Sequence, residues 1–135
     1  MGAEPWMFTT PYQENINQAL QQLRQQVFSE GRYYKSDPGA NPSSIDELFT
    51  NYVEEGGTHS ILDIFMTSKK ISMGLTCPLM EGDLTGILGT NKPTKEMLKN
   101  EQEIYNFIDR GESVYVISYN NGLPDEIFFF GYSFD

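Results

Sequence analysis

The stretch ESVYVISYNNGLPDEIFFFGYSFD, Glu112 to Asp135, reads as two strands folded back on one tight turn. Asn121-Gly122 is a favoured pair for a type I′ turn, because both central residues need φ > 0 and these two types tolerate it best. With those residues as the loop, Asn120 faces Leu123 and the later pairs follow by counting. Val114 is then expected opposite Phe129 and Val116 opposite Ile127 on one face. On the other, Tyr115 is expected opposite Phe128 and Ile117 opposite Glu126. Pro124 falls opposite Tyr119 in a non-hydrogen-bonded pair, where its missing N–H costs the ladder little.

Both faces of this hairpin are largely apolar, whereas a half-solvated antiparallel strand alternates with polar residues. Burying Val116, Ile127, Phe128, Phe129 and Phe130 stabilises by roughly 1.5–3 kcal/mol per side chain. Left in water, the three consecutive phenylalanines would be an aggregation hazard. The hairpin is therefore expected inside a sheet covered on at least one face.

Working outward, Pro93 fits the first turn of a helix lined by Met97, Leu98, Ile104, Tyr105 and Ile108 and capped by Gly111. Met80, Leu84, Ile87 and Leu88 predict one or two helical turns. SILDIF, Ser60 to Phe65, and the alternation of Ile71, Met73 and Leu75 predict two strands joined as a hairpin through Thr67-Ser68-Lys69. Ser44-Ile45-Asp46-Glu47 is a capping box opening a helix with Ile45, Leu48, Phe49, Tyr52 and Val53 on its apolar face, stopped by Gly56-Gly57. Arg32 to Lys35 reads as a short edge strand, followed by the turn-rich SDPGANPSS. Thr10-Pro11-Tyr12-Gln13 is a second capping-box pattern. It precedes the helical stripe Ile16, Ala19, Leu20, Leu23 and Val27, with glutamines, Glu14 and Arg24 on the polar side and Gly31 as C-cap.

This order predicts one α+β domain over residues 1–135: a mainly antiparallel sheet of four to five strands, with three main helices packed on one face. A parallel βαβ arrangement is the weaker alternative. No internal repeat or linker divides the chain.

The totals bound the function. With 39% hydrophobic and 21% charged residues among 135, the composition is that of an ordinary soluble domain. MGAEPWMFTT lacks the basic and apolar regions of a signal peptide, and Trp6 stands where a myristoylation signal wants Ser or Thr. No apolar run is long enough to span a bilayer. A lone cysteine cannot form an internal disulfide, which agrees with a reducing compartment. The expectation is a cytoplasmic protein without a membrane partner. A net charge of −10 argues against binding nucleic acid. The acidity serves solubility on one reading and steers a basic protein partner on the other.

Three side chains are weak catalytic candidates. His59, at the start of SILDIF, is either a general base or a capping histidine. On one strand it would share a face with Asp63, but at about 13 Å, too far for a hydrogen bond. Asp63, among Ile61, Leu62, Ile64 and Phe65, lies on the solvent face or is held by a specific donor; if buried, it marks a site. Cys77 could act as nucleophile with His59 as base, but its neighbours supply no cation to lower its pKa, so a core role is favoured. One histidine and one cysteine build no zinc site, and neither metal nor cofactor is expected. Gly82, Gly86 and Gly89 lack the spacing and the lysine of a phosphate-binding loop. Trp6, Phe8, Tyr33 and Tyr34 fall outside the firm elements and are candidate anchors for a protein interface.

The segments EPWMFTTPYQENINQALQQLR, GGTHSILDI and GYSFD resemble a group of small uncharacterised bacterial proteins. The resemblance implies a bacterial, single-domain, cytosolic protein and attaches no activity. The residues themselves favour a non-catalytic acidic domain that binds a protein partner as an inhibitor, immunity-type protein or accessory subunit. The alternative is a small-molecule-binding domain or minor enzyme with His59, Asp63 and Cys77 around one pocket. Self-association through the sheet edge or the aromatic N-terminus is a third option.

Overall fold

In the computed structural model, which describes residues 3–135, the C-terminal hairpin is the middle of a five-stranded sheet. Strands β1 (Pro5–Pro11), β2 (Met66–Thr67), β3 (Leu75–Pro78), β4 (Ser113–Asn120) and β5 (Leu123–Tyr132) lie in the spatial order β1-β5-β4-β3-β2. The β1, β5 and β4 ladders are antiparallel, and those joining β4, β3 and β2 are parallel. The fold is α+β as expected, but its sheet is mixed rather than mainly antiparallel.

Asn121 and Gly122 both adopt positive φ, at 54° and 79°, as a type I′ turn requires. Asn120 faces Leu123 and Tyr119 faces Pro124, and then the register slips. Ile117 pairs with Ile127, Val116 with Phe128, Tyr115 with Phe129 and Val114 with Phe130, each one residue beyond the simple count. A β-bulge sets Asp125 and Glu126 together opposite Ser118. The buried Ser118 hydroxyl accepts from the Glu126 N–H at 3.0 Å and donates to the Glu126 carbonyl at 3.4 Å. The physical reason is in the side chains. Without the extra residue Ile117 would face a carboxylate; with it, Ile117 faces the fully buried Ile127, while Glu126 turns toward Lys95 at 3.9 Å.

The bulge sorts the phenylalanines between two cores. Phe129 joins Ile127, Trp6, Leu20, Leu23, Val27 and Leu48 beneath α1 (Ile16–Glu30) and α2 (Ile45–Asn51). Phe128 and Phe130 join Val114, Val116, Leu84, Leu98 and Ile104 on the opposite face. That face is covered by α3 (Glu81–Leu88), α4 (Lys95–Lys99) and a 3₁₀ turn at Glu103–Phe107. Helices therefore pack on both faces, not one. All three phenylalanines are fully buried.

Several local expectations change for identifiable reasons. Residues 5–11 are a strand, and α1 is capped by Asn15, whose Oδ1 accepts from the Gln18 N–H at 3.0 Å, not by Thr10. Arg24 is buried rather than on a wet face. Arg32 to Lys35 forms no strand. Ser44 caps α2 as expected, accepting from the Glu47 N–H at 3.0 Å, although the helix ends at Asn51 before Gly56. SILDIF is not a strand. Ser60 Oγ accepts from the Leu62 N–H at 3.1 Å and turns Ile61–Asp63 into a 3₁₀ turn, leaving two residues of β2 parallel to β3. The last helix breaks after Lys99 into α4, capped by Thr94, and the 3₁₀ turn. Among the described residues no helix is long and apolar enough to cross a membrane.

Candidate functional site

Where the parallel half of the sheet meets α3, the surface carries an apolar groove of about 490 Å³. Cys77 and Pro78 from β3, Val114 from β4 and Phe107 from the 3₁₀ turn contribute to its walls. Lys69, Lys70 and Ile71 from the β2–β3 loop, Leu79 after β3, and Met80 and Asp83 near the start of α3 complete its lining. Met80 is 73% exposed, and Ile71 and Phe107 are each 41% exposed, so three exposed apolar side chains gather at this one groove. Lys69 and Lys70 form no ion pair among the described residues.

Cys77 is nearly buried on the groove wall. Burial, with Glu112 adding to it, pushes its thiol above the ordinary value, so the thiolate needed for nucleophilic attack is disfavoured. Neither His59 nor Asp63 lines this groove.

Asp63 is fully buried and answers three donors. Its Oδ1 accepts from the Thr58 N–H at 2.7 Å and the Thr58 hydroxyl at 2.9 Å, and its Oδ2 from the His59 N–H at 3.1 Å. Burial pushes this carboxyl upward and outweighs the hydrogen bonds, which pull it down. Arg24 lies close by in the same core. Its Nη2 donates to the Leu62 carbonyl at 3.1 Å and its guanidinium sits 5.4 Å from the Phe65 ring centre. Burial lowers the Arg24 pKa against the fields of Asp46 and Asp63. Both side chains brace the 58–64 turn, and Asp63 is closed off from solvent.

His59 meets Asp63 only through its backbone. Its ring lies at the surface, stacked on Tyr34 at 5.0 Å, with Glu4 Oε2 3.6 Å from Nδ1 and Asp135 Oδ1 3.2 Å from Nε2. The two carboxylates approach opposite ring nitrogens, and among the described residues no three His, Cys, Asp or Glu side chains converge to hold a metal ion. Segments 4–24, 56–64 and 131–135 meet around this histidine. The Ser133 N–H donates to the Glu4 carbonyl at 2.9 Å, and a Cβ on Gly57 would stand 2.7 Å from the Phe134 ring. A Cβ on Gly131 would fall within the Trp6 ring system. These segments are locked together by packing.

The aromatic candidates separate in the same way. Trp6 is a core residue, and Phe8 and Tyr33 are partly buried against that core, with Arg32 over the Phe8 ring at 5.5 Å. Tyr34 is the exposed member, and its ring stacks on that of His59. Ile71, Met80 and Phe107 come from separate segments, and no local sequence pattern links them into a site. Comparison with family models, curated proteins and solved structures returns no match. Fold and surface together define an acidic α+β domain with an open apolar groove at one end of its sheet.

Proposed function

We propose that this chain is a non-catalytic acidic domain that binds a protein partner, in an inhibitory, immunity-type or accessory role. The observation that carries this reading is the exposure of Met80, Ile71 and Phe107 around one groove, since an exposed apolar patch rimmed by polar groups marks an interaction surface. The partner inserts apolar side chains there. The net charge of −10 favours a basic partner, drawn in at long range. A cytoplasmic location belongs to the same reading, in keeping with a single, buried, free thiol.

Affinity capture with the purified chain tests it. A partner recovered at low salt, released as salt rises and lost with Met80→Asp supports the reading; no partner at low salt contradicts it. A second reading has a small apolar molecule in the same groove, whose volume lies in the range of about 300–1,000 Å³ usual for ligand sites. It would use the Cys77 wall without His59 or Asp63.

A further inference from the structure

The two edges of the sheet are finished differently. At the β2 edge, α1 supplies substitutes for a missing strand: Asn17 Oδ1 accepts from the Thr67 N–H at 3.1 Å, and Gln21 Nε2 donates to the Phe65 carbonyl at 2.8 Å. The β1 edge has no such cover. The Ser133 N–H donates to Glu4 and the Tyr12 N–H to Asp125, which fixes the even-numbered residues of β1 as those bonded to β5. The N–H and C=O groups of Met7 and Thr9 therefore point outward, and among the described residues nothing takes them. The next outward positions on either side are Pro5 and Pro11, which have no N–H.

We infer that the β1 edge pairs antiparallel with β1 of a second copy of this chain, about a two-fold axis at Phe8. The window is its own complement. Met7 meets Thr9 of the second copy in a hydrogen-bonded pair, and Thr9 meets Met7, which satisfies all four outward N–H groups. Pro5 meets Pro11 at each end, so the ladder stops on both copies where neither has a donor to lose. A strand from another protein gains no such match opposite the prolines. At the axis, Phe8 faces Phe8 of the second copy in a non-hydrogen-bonded pair, the closer type, which favours aromatic contact. The groove beside β3 lies toward the other end of the strand order and stays open.

Each copy carries a charge of −10, so added salt strengthens this association by screening the repulsion, whereas it weakens capture of a basic partner. Sedimentation equilibrium and cysteine cross-linking test the inference. The wild-type chain is expected at twice 15.4 kDa, with a dissociation constant that falls as salt rises. Thr9→Pro removes an outward donor that the monomer does not use, and is expected to weaken the dimer at least ten-fold. Phe8→Cys in a Cys77→Ser background is expected to form a disulfide-linked dimer on mild oxidation, because Cα atoms about 4.5 Å apart in such a pair suit a disulfide. A wild-type chain that remains monomeric at millimolar concentration overturns the inference. So does a dimer that is indifferent to Thr9→Pro and does not cross-link; if Thr9→Pro unfolds the chain, the cross-link alone decides.

Discussion

The Thr58 N–H donates to Asp63 Oδ1 at 2.7 Å inside the first core, and the Thr58 hydroxyl reaches the same oxygen at 2.9 Å. The carboxylate thus holds the turn that precedes it. Asp63→Asn keeps an acceptor for Thr58 but sets an N–H₂ against the His59 N–H, and should cost about 1–3 kcal/mol. The pH dependence has a definite sign. A carboxyl raised by burial binds its proton more tightly folded than unfolded. Its contribution is full below the unfolded value and is lost as pH rises through the folded one. Denaturant titrations of both chains should show a gap that is larger near pH 4 than near pH 7. A gap that widens with pH would mean that the hydrogen bonds dominate.

Gly131 lies under Trp6 with no room for a methyl group. Gly131→Ala should cost about 1–3 kcal/mol through forced repacking. Trp6 is the sole tryptophan, so its fluorescence reports the change directly. The variant should emit further to the red and melt earlier. An unchanged spectrum would place the indole elsewhere.

The bulge rests on Ser118. Ser118→Ala takes the acceptor from the Glu126 N–H and should cost about 1 kcal/mol. Amide hydrogen exchange should accelerate at Glu126 in particular. If exchange there is unaltered, the hydroxyl is not what holds the extra residue.

Cys77 is accessible from the groove only in part, and its thiol is raised. At pH 8 a thiol reagent should modify it roughly ten-fold or more slowly in the native chain than in the unfolded one. Equal rates would point to an activated thiol and revive the catalytic reading.

Elements governed by adjacent residues could be read from the sequence. The Asn121-Gly122 turn, the Ser44 cap, the α1 stripe and the Gly31 cap all stand where local chemistry puts them. The departures come from contacts distant in sequence or from competing local signals. Thr10-Pro11 imitates a helix start, yet Thr10 is buried opposite Ile127 and the cap falls to Asn15. Ser60 converts an apolar run into a turn by capping it. Nothing before Ser118 announces that β5 carries an extra residue; the signal is the carboxylate of Glu126, which the simple count would set against Ile117. The groove was hidden because its lining gathers from five segments. Asp63 was correctly suspect as a carboxylate in an apolar run, but its burial serves the Thr58–His59 turn.

Everything described depends on β5 presenting Phe129 to one core and Phe128 and Phe130 to the other, against a β4 that is one residue out of the simple count. Cross-strand nuclear Overhauser contacts measure this directly. The expected contacts are those of Val114 with Phe130, Tyr115 with Phe129 and Val116 with Phe128, with a break at Ser118. An unbroken ladder carrying Val114 to Phe129 and Tyr115 to Phe128 would contradict it, and the division into two cores would fall with it.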